Sequence, residues 1–168
     1  MRTLALLLTL FALPAQAANF CGNMVMPAGG LTAIARGFSS YHAGIDLDAP
    51  LGSTIRAAAA GTVIYAGWYS GYGNMIDVQH ADGVVTRYAH ISSFVPNVGY
   101  GAAVTAGQVI GLVGHTGDAT GNHVHFEVRL NGSAIDPAPF IGLGRCVVQP
   151  PKVPLEEAYA APANAPHH

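Results

Sequence analysis

An all-β domain of antiparallel strands is predicted by three features of this 168-residue chain. Between residues 54 and 130 the apolar residues fall in short or alternating runs, and no stretch repeats at helical spacing for long enough to matter. Glycine, with 21 residues, interrupts those runs at turn-like intervals. Asp82-Gly83 stands between two of the runs, and that dipeptide favours a tight hairpin because both of its residues tolerate positive φ.

In chain order, Met1-Arg2-Thr3 is followed by an apolar run from Leu4 to Leu13 and by Pro14-Ala15-Gln16-Ala17. A positive start, a short apolar run and an Ala-x-Ala end make residues 1–17 a cleaved export signal. The run is too short to anchor in a bilayer and no later one approaches that length, so the expected product is exported, periplasmic or secreted, without stable membrane insertion. Cys21 follows the expected cut without the small-residue setting of a lipid-attachment cysteine. Residues 18–148 form the folded domain, with any helix confined to a short turn around residues 31–35. Strands are expected at 54–57, 62–66, 75–80, 84–90, 108–113 and 123–130, the third and fourth joined by the Asp82-Gly83 hairpin. Residues 149–168 hold five of the eleven prolines and no apolar periodicity, which reads as an extended, disordered tail. Cys21 and Cys146, the two cysteines of an exported chain, are expected to form a disulfide tying the domain's ends together. In the chain-entropy picture a loop of this size stabilises by roughly 4 to 5 kcal/mol.

Composition excludes two function classes. Lys+Arg 7 against Asp+Glu 9 gives a net charge of -2, so no basic excess exists to neutralise phosphates and nucleic acid is not the partner. At 51% hydrophobic residues the chain is not disordered as a whole. Its 8 histidines outnumber lysine and arginine together. His167 and His168 lie at the end of the tail, and the other six fall between residues 42 and 125.

The segment from Gly121 to Leu130 is the most informative. Side chains alternate along a strand, so His123, His125, Glu127 and Arg129 share one face while Val124, Phe126, Val128 and Leu130 enter the core. A His-x-His pair alone is weak in so histidine-rich a chain. Tyr41-His42-Ala43-Gly44-Ile45-Asp46 supplies a partner: a histidine and a carboxylate four apart, in a loop running into a strand. Imidazole plus carboxylate is a sound zinc donor set, and His42, Asp46 and His125 give three protein ligands with a fourth position open, the pattern of a catalytic rather than a structural site. Asp48 is read as lying on the other side of the backbone and is the weaker ligand candidate.

These residues carry a family resemblance. His42-x-x-x-Asp46, Tyr88-Ala89-His90 after the hairpin, and Gly114-His115-Thr116-Gly117 leading into His123-Val124-His125-Phe126-Glu127 resemble the LytM/lysostaphin-type zinc metallopeptidases, peptidase family M23. The resemblance runs from about Pro27 to Phe140 and includes Pro50-Leu51-Gly52, Gly71-Tyr72-Gly73-Asn74 and Asp136-Pro137. It implies an antiparallel domain with a metal groove, zinc held by His42, Asp46 and His125, and His90 and His123 as unliganded catalytic histidines serving an activated water. It also implies peptidoglycan peptides as the partner, and a monomer is the expected working form.

The remaining candidates are less specific. His80 is expected to be solvated or capping, and His115 to touch the edge of the site. Glu127 lacks a His-Glu-x-x-His segment and is expected to support the ligands from behind. Trp68 and Tyr72, in the glycine-rich Gly67-to-Gly73 stretch, are expected to form a loop that walls a substrate groove. Only four residues separate Gly37 from His42, so the loop bordering the cleft is short and the cleft open. Two other readings compete: a non-catalytic wall-binding or hydrolase-activating relative, which typically lacks ligands, and a cupin-like metal barrel, which needs a glutamate farther from the histidine pair.

Overall fold

The computed structural model describes residues 20–145. The export signal, Cys146 with its expected partnership to Cys21, and the proline-rich tail therefore lie outside the described residues. Within them the chain forms β1 Ala33–Arg36, β2 Ile45–Asp48, β3 Thr54–Arg56, β4 Gly61–Tyr69, β5 Gly73–Gln79, β6 Val84–Ala89, β7 Ile91–Phe94, β8 Ala103–Val104, β9 Val109–Val113, β10 His123–Leu130 and β11 Ser133–Ile135. The larger sheet runs β1-β2-β10-β6-β5-β4-β8 with β11 also paired to β10, and β3-β9-β7 form a second sheet. Every pairing is antiparallel.

The alternation of apolar residues builds the core. Val63, Ile76, Tyr88, Val124 and Phe126 of the larger sheet and Ile55, Ile91, Ile110 and Val113 of the smaller one are fully buried in one hydrophobic cluster. At about 1.5–3 kcal/mol for each large apolar side chain removed from water, these contacts dominate the fold's stability. The Asp82-Gly83 turn forms as expected. Both residues have positive φ, 65° and 74°, and the Val84 N–H closes the turn onto the Ala81 carbonyl.

Two local expectations are corrected. Residues 31–35 are not helical, because Ala33–Arg36 pair as an edge strand with β2. All four residues of β1 are exposed, so the segment has no apolar stripe to bury as a helix and takes its order from the ladder. The Gly67-to-Gly73 stretch is not a loop from its start: Trp68 and Tyr69 end β4, paired with Asn74 and Gly73 of β5 across a tight hairpin. The two- to four-residue strands β1, β2, β7, β8 and β11 are too short for a periodicity to show in sequence.

Candidate metal centre

Cross-strand register lays out the site. Along the larger sheet Arg36 stands opposite Asp46, Asp46 opposite His125, and His125 opposite Ala89. In the next row of the same face Glu127 pairs with Arg87, Arg87 with Asp77, and Asp77 with Tyr65. Asp48 lies opposite His123. It is two residues from Asp46 on one strand and so shares its face, which corrects the reading that set the two apart.

His42 reaches this row from the loop before β2. Its Nδ1–H donates to the Gly37 carbonyl at 2.8 Å, which leaves the Nε2 lone pair facing inward. That nitrogen lies 3.0 Å from Asp46 Oδ1 and 3.1 Å from His125 Nδ1. His125 is held in the opposite tautomer, since its Nε2–H donates to Glu127 Oε1 at 3.1 Å and Nδ1 faces Asp46 Oδ1 at 2.8 Å. Gly44 is required for this approach. A Cβ there would fall 2.4 Å from the Phe126 carbonyl oxygen and 2.9 Å from His125 Cε1.

Two imidazole lone pairs and one carboxylate oxygen thus converge with both ring N–H groups turned away. Such an arrangement is repulsive without a cation between the three atoms. A nitrogen-nitrogen-oxygen set of this kind suits zinc, whose ligands at about 2.0–2.2 Å stand a little over 3 Å from one another. In the metal-free chain a proton partly fills the role. Burial alone would press His125 down, but its hydrogen bonds to Asp46 and Glu127 outweigh that and raise its pKa. Burial would raise Asp46, yet the facing His125, His42 and His123 hold it well below the usual carboxylate range.

A supporting layer fixes the ligands. Arg36 Nε donates to Asp46 Oδ2 at 3.0 Å, leaving Oδ1 for the cation. Glu127, fully buried, accepts from His125, from the Tyr72 hydroxyl at 2.7 Å and from Arg129. Burial opposes its charge, but these three donors bring its pKa down to about 2, so it stays a carboxylate. Sequence patterning assigns no site role to Arg36 or Arg129. Arg129 follows Glu127 on the same strand face and was legible, whereas Arg36 depends on an edge strand that carries no pattern.

His90 and His123 flank the three ligand candidates without joining them. His123 donates Nδ1–H to the Gly121 carbonyl at 3.0 Å and places Nε2 3.7 Å from Asp46 Oδ1. His90 is the single residue between β6 of one sheet and β7 of the other, and it makes that corner with a φ of 60°. A non-glycine residue held at positive φ is strained, and such strain clusters at functional sites. Its N–H bonds to the Tyr72 carbonyl and its Nδ1–H to the Thr116 carbonyl at 2.7 Å, so Nε2 carries the lone pair. The two rings lie 4.7 Å apart.

The site opens to solvent through two adjoining arms of about 320 and 230 Å³. Arg36, His90 and Asp118 line both, with Tyr41, His42, Tyr72 and His125 in the first and Asp46 and His123 in the second. Tyr72 thus forms part of the wall of the first arm. Trp68 and His115 line neither arm: Trp68 is 63% exposed on the hairpin, and His115 is exposed with Nδ1 against Asn122 Oδ1. His80 is neither solvated nor at the site. It lies buried in a separate network, between the Ala60 carbonyl and the Thr86 hydroxyl.

Comparison with known proteins converges on one family. Residues 40–137 match the description Peptidase family M23. The DD-carboxypeptidase/endopeptidase Mpg of Neisseria meningitidis serogroup B is 47% identical over 96 residues, covering 57% of this chain and 22% of that protein. The murein hydrolase activator EnvC of Escherichia coli is 37% identical over 99 residues, covering 59% of this chain and 23% of that protein. The solved structure of the antimicrobial peptidase lysostaphin from Staphylococcus simulans superposes with a TM-score of 0.61 at 30% identity, over 77% of this chain and 59% of that one. The chain thus spans about a fifth of the length of these two curated relatives.

Proposed function

The chain belongs to peptidase family M23, and from that premise we propose that it is an exported zinc metalloendopeptidase hydrolysing stem or crossbridge peptides of bacterial peptidoglycan. The observation that carries this reading is the convergence of His42 Nε2, Asp46 Oδ1 and His125 Nδ1, with two further histidines beside them. Zinc at that set supplies Lewis-acid activation of water and of the scissile carbonyl. The chain's own residues supply the rest. Arg36 and Glu127 hold Asp46 and His125 in register, and the cleft walls orient an extended peptide across the site. His90 and His123, each with Nδ1–H fixed on a carbonyl, offer Nε2 as the atom that takes a proton from the attacking water. Once protonated, the same atom donates to the developing oxyanion or the leaving amine.

A second reading is favoured by the similarity to a protein named a murein hydrolase activator. In that reading the cleft binds wall or partner peptide without cutting it. The two are separated by incubating the zinc-loaded chain with purified sacculi, with and without a chelator, and analysing released muropeptides. Chelator-sensitive appearance of new peptide ends supports the endopeptidase. Release that occurs only when a second hydrolase is added supports the activator.

Three parts of the proposal lie outside the described residues or concern the whole protein: residues 1–17 are removed on export, Cys21 pairs with Cys146, and the mature chain works as a monomer.

A further inference from the structure

Asp118 is an acidic side chain at the cleft that the zinc site leaves unused. It lines both arms, together with Arg36 and His90. Its position is built rather than incidental. The Asp118 N–H donates to the Gly71 carbonyl at 2.9 Å, and the residue before it packs backbone to backbone on the β4–β5 hairpin. A Cβ on Gly117 would meet Gly73 N at 2.4 Å and the Gly71 carbonyl oxygen at 2.5 Å, and Gly117 has a φ of 73°. Asp118 is thus held at a set distance from the turn that carries Tyr72.

Its charge is not answered within the protein. Among the described residues no ion pair and no side-chain hydrogen bond involves the Asp118 carboxylate. Arg36, the one arginine or lysine among the described residues lining the same arms, spends Nε on Asp46 Oδ2 and makes no ion pair with Asp118. A zinc ion held by His42, Asp46 and His125 would not need it, since those three donor atoms already converge without Asp118. The cleft therefore offers two separate charges, the Asp118 carboxylate and the outer guanidinium nitrogens of Arg36, in a chain with only 16 charged residues in all.

We propose that Asp118 is a specificity residue that selects peptides carrying a free ammonium group close to the scissile bond, with Arg36 facing a free carboxylate of the same substrate. The proposal rests on the peptide-cleaving reading of the cleft and adds a substrate feature: a peptide bearing an unacylated primary amine and a free carboxylate near the bond. Solvent reaches the pair, so the selection is modest, about fivefold in affinity, and weakens with salt.

The test uses one crosslinked wall peptide in two forms, amine free and amine acetylated, with equilibrium binding to the zinc-loaded chain measured by anisotropy and cleavage measured separately. The free form is expected to bind about fivefold tighter at low salt. Asp118→Asn is expected to bring the two affinities within twofold, and Asp118→Glu to retain part of the preference. Equal binding of the two forms by the unmodified chain, or an undiminished preference in Asp118→Asn, overturns the proposal. Absence of cleavage with the binding preference intact overturns the peptidase reading and leaves Asp118 as the ammonium-selecting residue of a cleft that binds peptide without cutting it.

Discussion

Glu127→Gln isolates the role of the layer behind the zinc ligands. The substitution keeps shape and removes charge at a fully buried position that accepts from His125 Nε2–H, Tyr72 and Arg129. Two orientations are open to the amide. With its oxygen on His125 and Tyr72, its NH2 meets the Arg129 guanidinium donor to donor. With its oxygen on Arg129, the NH2 faces His125 and drives that ring to the tautomer with a proton on Nδ1, the atom that must hold metal. Loss of a partner to a metal-bound histidine weakens metal binding by about 10- to 100-fold, which is about 1.4 to 2.7 kcal/mol. The fold carries a separate cost. A carboxylate brought from 4.5 to about 2 by its donors contributes roughly 3 kcal/mol, present above pH 4.5 and lost as the pH falls through 2. The two readouts are zinc competition against a chromogenic chelator and urea denaturation of the metal-free chain. We expect both to move. A zinc affinity within twofold of the unmodified chain would falsify the claim that the charged Glu127 carboxylate behind His125 supports metal binding, whatever happens to stability.

Other changes probe different links. Arg36→Ala should weaken zinc about tenfold by releasing Asp46 Oδ2, yet shift the denaturation midpoint by under about 1 kcal/mol because Arg36 is 63% exposed; a large stability loss with zinc affinity intact contradicts this. Gly44→Ala places a methyl against the Phe126 carbonyl and the His125 ring, so a loss of about 1–3 kcal/mol together with weaker zinc is expected, and a neutral result in both assays refutes the close approach. His80 is fitted as the neutral form: Nδ1–H donates to Ala60, and Nε2 accepts from Thr86, whose oxygen in turn bonds to Tyr88. Burial lowers its pKa against the opposing Ala60 bond, so the unfolded chain takes up a proton near pH 6.5 before the folded chain does. Stability is therefore complete above 6.5 and declines as the pH falls below it, and His80→Gln should show a shallower decline between pH 7.5 and 5.5 than the unmodified metal-free chain.

The residues whose roles were legible in sequence lie on strands long enough to show a period. β10 places His123, His125, Glu127 and Arg129 on one face and Val124, Phe126 and Val128 on the other, as alternation requires. The Asp82-Gly83 turn is equally local, because two positive φ angles are written into two residue types. Arg36 is the opposite case. Its strand is four exposed residues that order only by pairing with β2, so its ligand-supporting contact comes from register and not from composition. Trp68 and His115 show the limit of reading by neighbourhood. Each is near a site residue in sequence, yet Trp68 stands exposed at the end of β4 and His115 on the exposed side of its turn. His90 needed both kinds of information, since its corner between two sheets exists only once the sheets do.

In the proposed function five residues divide the labour: His42, Asp46 and His125 hold the metal, and His90 and His123 move protons. Zinc content and muropeptide release, measured side by side on His123→Ala, His90→Ala and His125→Ala, test it directly. The expected result is one zinc per chain in the first two with release reduced by at least about 100-fold, and no bound zinc in the third. Stoichiometric zinc in His125→Ala, or undiminished release by His123→Ala and His90→Ala, would contradict it.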